Sequence, residues 1–512
     1  MIKRFINKLL GTSMVVTDHV KKMDPSQHQE HGPKVHKIDA SLVDDHAIDV
    51  VHTLKQAGYQ AYIVGGAVRD LLVGLRPKDF DVATNAEPEQ VKRLFRRAFI
   101  IGRRFRIVHV IYGRGREHEV IEVSTFRAQV DSSLSEPVGG NERTSRTELA
   151  GLTHAVHSSG RVLRDNVWGT MQEDAARRDF TVNAMYYDPE ANIVVDYHQG
   201  MHDIKKRVLR MIGDPATRYR EDPVRIIRAV RFSAKLALLG FKLETSTAKP
   251  LREMTNLLND VPQSRLFDEM LKLLQTGHAQ ASIEQLKVLG LGTGIYPLLD
   301  VVVHMAHEPF LQLALQDTDR RVHEDKPVVA SFLLSCVLWR AVREGWQSRC
   351  QSGMHIMPAL QDAIDEAFNA KIGEVSGRGK LGADMREIWT LQLRFEKRTG
   401  RSPYTLVEQP RFRAAFDFLR LREQSSEIDA GLSDWWESFS TASDDERREM
   451  LEQIQRERER QPRRVVKRAS ASSPQPDTGL PTDLPTEEST PPARKRRRRR
   501  KPAGGEPGND PA

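Results

Sequence analysis

The stretch Tyr62-Ile-Val-Gly-Gly-Ala-Val-Arg-Asp70, followed closely by Lys78-Asp-Phe-Asp-Val-Ala-Thr84, constrains this 512-residue chain more than any other. Residues 61–64 are a short apolar run of the kind that forms a buried strand. Gly65-Gly66 then lets backbone approach a ligand with no Cβ in the way. A helix is expected next, with Arg69 in its first turns. N–H groups at a helix start, with an arginine fork beside them, suit an anionic phosphate chain. In Asp79-Phe80-Asp81-Val82 polar and apolar residues alternate, which is strand periodicity. Both carboxylates then face one way, while Phe80 and Val82 face the core. Two carboxylates on one face of a rigid strand are the donors that hard Mg2+ ions require. An Asp-x-Asp pair alone is common on exposed strand edges; its nearness to the Gly-Gly-x-x-Arg-Asp turn gives it weight.

The rest of the chain reads as a mixed-sheet region followed by helices. Its length implies two to four domains. Strands are expected at 99–101, 107–112 and 120–126, with a strand pair at 185–188 and 193–196. Helices are expected at 45–57 and 87–98. Glu122 adds a third carboxylate to the Asp79 and Asp81 face if its strand pairs beside theirs; taken alone, it reads as an ordinary solvent-facing residue. Residues 129–161, rich in Ser, Gly, Thr and charge, read as a long loop. From residue 203 the pattern is helical. In Glu221-Asp-Pro-Val-Arg, Pro223 suits a first turn, and Asp222, Arg225 and Arg228 share a face. Taken alone, that segment reads better as a salt-bridged surface helix. Further helices are expected at 262–274, 281–289, 328–339, 358–368, 385–396 and 409–422, with a charged helix ending near 460.

The formal net charge is +8, and residues 461–512 carry 12 Lys/Arg against 6 Asp/Glu. The tail is therefore the basic element. Residues 468–493, rich in Ser, Pro and Thr, are expected to be disordered. Arg494, Lys495, Arg496, Arg497, Arg498, Arg499, Arg500 and Lys501 form a dense cationic block suited to gripping phosphate backbones without reading sequence. Two cysteines exclude a disulfide framework and fit a reducing compartment, the cytoplasm. No apolar run is long enough to span a membrane. The basic, apolar-striped N-terminus allows weak peripheral membrane contact, though a frayed start fits it better. His304, His307 and His323 lack the spacing of a metal cluster.

The motifs Gly65-Gly66-Ala67-Val68-Arg69-Asp70, Asp79-Phe80-Asp81, Arg177-Arg178-Asp179-Phe180-Thr181-Val182-Asn183-Ala184 and Glu221-Asp222-x-x-Arg225 together resemble the class II tRNA nucleotidyltransferase and bacterial poly(A) polymerase family. The specific resemblance covers about residues 60–245, and extends more loosely to about 425. Residues 100–110 resemble the signature of the poly(A) polymerase branch, residues 409–422 resemble its C-terminal helix, and the basic tail is typical of it. The implied fold is α+β. A five-stranded nucleotidyltransferase head (39–200) precedes an all-α neck (201–260) and body (261–460), with a disordered N-terminal extension (1–38) and a disordered basic tail (461–512).

The resemblance also implies a reaction in which an RNA 3′-hydroxyl attacks the α-phosphate of ATP and expels pyrophosphate. By it, Asp79 and Asp81 bind two Mg2+ ions and Glu122 is the third catalytic carboxylate. Gly65, Gly66 and Arg69 hold the triphosphate. Arg178 and Asp179 position triphosphate and ribose, and Asp222 with Arg225, joined by Arg228, faces the base. Expected partners are RNA 3′ ends and RNA-decay factors such as a helicase, exonuclease or RNA chaperone, with the enzyme a monomer. Two other readings use the same residues: CCA addition to tRNA, and an RNA-binding scaffold with an idle head. The branch signature and tail argue against the first. Against the second, an idle site has no physical reason to keep two uncompensated carboxylates together.

Overall fold

A computed structural model of the chain describes residues 15–16, 28–102, 106–114, 117–128, 154–156, 162–165, 167–289, 291, 294, 296–372 and 379–460. The cationic block 494–501 and most of the 129–161 loop lie outside these residues. Met1–Arg456 forms one compact unit.

An eight-stranded mixed sheet forms the head: β1 (Gln29–His31), β2 (Ala61–Val64), β3 (Asp81–Thr84), β4 (Ala98–Ile101), β5 (Ile107–Arg114), β6 (Glu117–Thr125), β7 (Met185–Asp188) and β8 (Ile193–Asp196). Their spatial order is β1-β8-β7-β2-β3-β6-β5-β4. Only the β3–β6 pair is parallel within it. Two helices, α1 (Asp45–Gln56) and α2 (Gly66–Leu72), flank β2, and α3 (Pro88–Leu94) leads to β4. The Asp44 carboxylate caps α1 by accepting from the N–H groups of His46 and Ala47, a contact that stabilises a helix start by about 1 kcal/mol.

Alternation along the strands gives the sheet two faces of different character. On one, Ile63, Val82, Val108, Val110, Ile121 and Val123 pack with Val50, Val51 and Leu54 of α1 and Val91 of α3. On the other, Val64, Ala83, Tyr186 and Val195 are covered by Phe126 and by Ala175 of α4 (Met171–Arg177).

Three expectations are corrected. The sheet has eight strands and not five. Strand β3 begins at Asp81, so Asp79 sits on the bend before it and not within the strand. Residues 29–36 are not a coreless extension: β1 pairs antiparallel with β8, and a short helix, Pro33–His36, buries His36. Gln-Glu-His has no apolar periodicity, since an edge strand is held by its backbone, and this hides it in the sequence.

A fourth correction concerns the neck, which is not all-α: Lys242–Glu244 pairs in parallel with Val208–Leu209 and with Val15–Val16, a backbone-held strand set too short to show an apolar period, while the body is helical. Asp222 joins α5 (Pro215–Glu221) to α6 (Val224–Ala237), and α7 (Gln263–Leu274) follows. The expected helices farther on appear as Ala279–Val288, Ala330–Gln351, Ile356–Ala367, Lys380–Phe395, Phe412–Gln424 and Asp444–Arg460. Phe395, Phe412, Phe416, Trp436 and Phe439, from the helices Lys380–Phe395, Phe412–Gln424 and Leu432–Thr441, build a separate aromatic cluster, each contributing roughly 1.5–3 kcal/mol by burial. Among the described residues, no helix is long and apolar enough to cross a membrane.

Candidate active site

The site is built on one cross-strand row. Asp81 stands opposite Val64 of β2 and Glu122 of β6, and Glu122 stands opposite His109 of β5. Paired residues on neighbouring strands share a face, so Asp81 and Glu122 project together. Nε2 of His109 lies 3.2 Å from Oε1 of Glu122. Asp79 approaches from the bend. Crowding by the surrounding protein, together with the negative charges of Glu122 and Asp79, pushes the Asp81 carboxyl up to about 6, against the pull of Arg178. Water still reaches the Asp81 side chain, so the crowding is that of a cleft floor and not of a closed core. Clustered carboxylates that outnumber the one guanidinium beside them are a donor set that fits divalent metal ions. Among the described residues a tighter group exists elsewhere: Asp44, His46 and Glu119 have donor atoms within 4.8 Å of one another. There Asp44 is already the cap of α1 and His46 is bound to Glu119, so the group serves the fold.

Beside this row lies the phosphate turn. Gly65 has φ of +76°, a conformation that side chains disfavour, and a Cβ there would sit 3.5 Å from Nη1 of Arg178 and 3.7 Å from Oδ2 of Asp81. The missing side chain thus leaves a cradle between a guanidinium and a carboxylate. A Cβ on Gly66 would meet Nη2 of Arg69 at 3.4 Å. Arg69 itself is buried, with Nε donating to Asp70 and Nη1 donating to Asn183 at 2.7 Å. It braces the turn from beneath. Arg178 is held by Asp174, which accepts from Nη2 at 3.1 Å, and by the face of Tyr186, whose hydroxyl also donates to Asp174 at 2.8 Å. Burial works against the Asp174 carboxylate, but the charges of Arg178 and Arg177 keep it below the usual range.

The neck locks the next motif in place. Arg218 of α5 donates to the backbone carbonyls of Arg177 and Arg178 at 2.7 Å, and Arg225 of α6 donates to the Arg177 carbonyl at 3.1 Å. Arg228 donates from Nε and Nη2 to Asp179 at 2.8 and 2.6 Å. Burial alone would raise the Asp179 carboxyl; the Arg228 guanidinium overrides it and holds the group at about 2. Asp222 lies in extended backbone before α6, where Arg265 of α7 grips both its oxygens at 2.9 and 3.1 Å.

Three family models match the chain in sequence order. One described as the Poly A polymerase head domain covers residues 61–210, one described as a probable RNA and SrmB- binding site of polymerase A covers 240–302, and one described as the polymerase A arginine-rich C-terminus covers 352–502. Poly(A) polymerase I of Escherichia coli O6:H1 is 39% identical over 447 residues, which is 86% of this chain and 91% of that protein. The chain belongs to the bacterial poly(A) polymerase I family. As a member it is a nucleotidyltransferase enzyme. A CCA-adding enzyme of Bacillus pumilus is 36% identical over 242 residues, 47% of this chain and 52% of that one. The solved CCA-adding enzyme of Bacillus stearothermophilus in complex with CTP has a TM-score of 0.42 at 22% identity, over 81% of this chain and 98% of that one.

In this poly(A) polymerase family member, Gly65, Arg178, Asp81 and Glu122 come together around one cleft, with Asp79 at its edge. Arg69 lies under the turn. Asp179 and Arg228 meet each other, while Asp222 and Arg225 hold protein groups one helical turn away. The cationic tail residues 494–501 fall outside the described residues. Sequence reasoning gave no role to Asn183, Asp174, Tyr186, His109, Arg265 or Glu269. Asn183 and Asp174 stand inside or beside the quoted Arg-Arg-Asp-Phe-Thr-Val-Asn motif, which was the signal available. Arg265 and Glu269 sit on a separate helix and carried none.

Proposed function

We propose that this chain adds adenylate residues to RNA 3′ ends without a template, consuming ATP and releasing pyrophosphate in the cytoplasm. The observation that carries this reading is the row Asp81–Glu122 set against the Gly65 cradle and Arg178, in a chain similar to poly(A) polymerase I along most of its length. Asp79 and Asp81 would hold two Mg2+ ions, with Glu122 as the third carboxylate. Such ions, when bound, ease ionisation of the 3′-hydroxyl and stabilise charge on the departing pyrophosphate oxygens.

The chain's own groups do the positioning. Gly65 and Gly66, braced by Arg69, offer backbone to the triphosphate, and Arg178 offers its guanidinium. Asp179, fixed by Arg228, accepts from the ribose. Asp222 and Arg225 present one acceptor and one donor edge to the base. The 3′-oxygen forms its bond to the α-phosphorus as the bond to the pyrophosphate oxygen breaks. The block 494–501 would bind upstream phosphates through charge alone.

Incubation with Mg2+, an unstructured RNA and each nucleoside triphosphate separately tests the reading. Long ladders with ATP alone are expected. Addition that stops after a few nucleotides, and only on tRNA lacking its end, would replace the reading with CCA addition, which the 36% match over half of this chain makes the relevant alternative. No addition at all would leave the idle scaffold.

A further inference from the structure

Among the described residues, the face of the sheet that carries the carboxylates is covered over only part of its width. At the β8-β7-β2-β3 end, Val195, Tyr186, Val64 and Ala83 are closed over by α4 and Phe126. Beyond Asp81 the row continues through Glu122 and His109 to Phe99 of β4, because Phe99 pairs with His109. The next row runs from Ala83 through Ser124 and Ile107 to Ile101. Phe99 is 56% exposed and Ile101 41% exposed, on a strand that forms the sheet edge. An exposed aromatic beside an exposed aliphatic, on an edge strand, is normally a liability.

Charge indicates what this face receives. Residues 92–106 contain seven Lys and Arg and no acidic residue. Arg96 and Arg97, in the turn just before β4 at this edge, are exposed, and Lys92 and Arg93 add charge from α3 on the other side of the sheet. Such cations guard an edge against self-association, but that alone gives no reason to leave a phenyl ring on the open face. An apolar, aromatic-bearing sheet surface bordered by arginines is how single-stranded nucleic acid is held: bases stack on rings while cations track the phosphates. Phe99 lies three strands from Asp81, roughly 14 Å at the usual strand spacing, within reach of bases a few nucleotides upstream of a 3′ end placed at the carboxylates.

Resting on the polyadenylation reading, we propose that the open face of β4, β5 and β6 is a stacking platform for the single-stranded RNA just upstream of its 3′ terminus, with Phe99 as the principal ring. The test uses the full-length protein and oligo(A) RNA carrying 2-aminopurine two to four positions from the 3′ end. Fluorescence quenching on binding is expected with the wild type and with Phe99→Tyr, and is expected to be lost with Phe99→Ala. In ATP addition, Phe99→Ala is expected to raise the KM for RNA about tenfold while leaving the KM for ATP unchanged, and Ile101→Ser to raise the RNA value less. A shared melting temperature across the variants assigns the change to binding. Equal quenching and equal RNA KM in wild type and Phe99→Ala would overturn the platform, and would leave this face to a protein segment or partner. Quenching is scored whether or not nucleotides are added, so failure of the platform and failure of the polymerase reading are separate results.

Discussion

The cleft floor and the neck treat charge in opposite ways. On the sheet, Asp79 and Asp81 take no hydrogen bond from a protein side chain among the described residues, and burial, aided by repulsion from Glu122 and Asp79 and opposed by Arg178, raises the Asp81 carboxyl. In the neck, Asp179 is bound by Arg228, Glu269 lies within ion-pair distance of Arg228 and Arg231, and Asp222 is gripped by Arg265. The first arrangement stores unfavourable energy that an incoming cation relieves. The second fixes side-chain positions before any ligand arrives. Charge left unbalanced thus marks where chemistry is expected, while balanced charge marks where a substrate is expected to be aligned.

The largest effect should come from emptying the floor. Asp79→Ala with Asp81→Ala is expected to lower nucleotide addition by at least about a thousandfold, on the order of metal-site losses, because electrostatic stabilisation of the transition state goes with the ions. Stability should stay level or rise, since the change removes repulsion; a fall in the urea midpoint would contradict the picture of an uncompensated cluster.

Breaking the neck pair should do the reverse. Arg228→Met leaves Asp179 buried without its partner and is expected to destabilise the chain by about 3 kcal/mol, read from urea unfolding. Asp179 also sets a pH signature. Its carboxyl is held at about 2 in the folded chain, below its unfolded value, so its stabilisation is complete above about pH 4 and fades as pH falls toward 2. The wild type should lose about 2 kcal/mol across that window that Asp179→Asn does not lose. Parallel curves would mean that the pair is not maintained in solution.

Much of this contrast was legible before the structure. The apolar run 61–64, the Gly-Gly turn and the strand pair 185–188 and 193–196 carry strong local signals, and all three stand where expected. Glu122 was conditional on strand pairing, and only the parallel register Asp81↔Glu122 placed it beside the aspartates. Alternation suggested that Asp79 was part of a strand, but alternation describes side-chain facing and not hydrogen bonding; the bend before β3 satisfies the same pattern. Partners from distant helices were the least visible. Arg265 is 43 residues from Asp222, and nothing local to either position announces the contact.

That hidden contact gives the next test. Arg265→Met removes the guanidinium fork from the Asp222 carboxylate while keeping most of the side-chain volume. A charge-assisted fork of this kind supports an expected rise of about tenfold in the KM for ATP, with other nucleotides competing better. A change confined to melting temperature, with nucleotide preference intact, would reduce Arg265 to scaffolding and blur the distinction between floor and neck.

The smallest effect is expected at Lys78, where the head is tied to the body. Its ammonium donates to the Val322 carbonyl at 2.9 Å, in the last turn of α8 (Pro309–His323), and pairs with Asp325 at 2.9 Å. A cation at a helix C-terminus is favourable, but both partners are largely open to water, and such links contribute about 0–1 kcal/mol. Lys78→Ala should therefore shift melting little and activity by less than about threefold, with the difference vanishing in high salt. A much larger loss of turnover with melting unchanged would show that the body, through Lys78, helps set the neighbouring Asp79 carboxylate. The floor would then depend on distant alignment as the neck does.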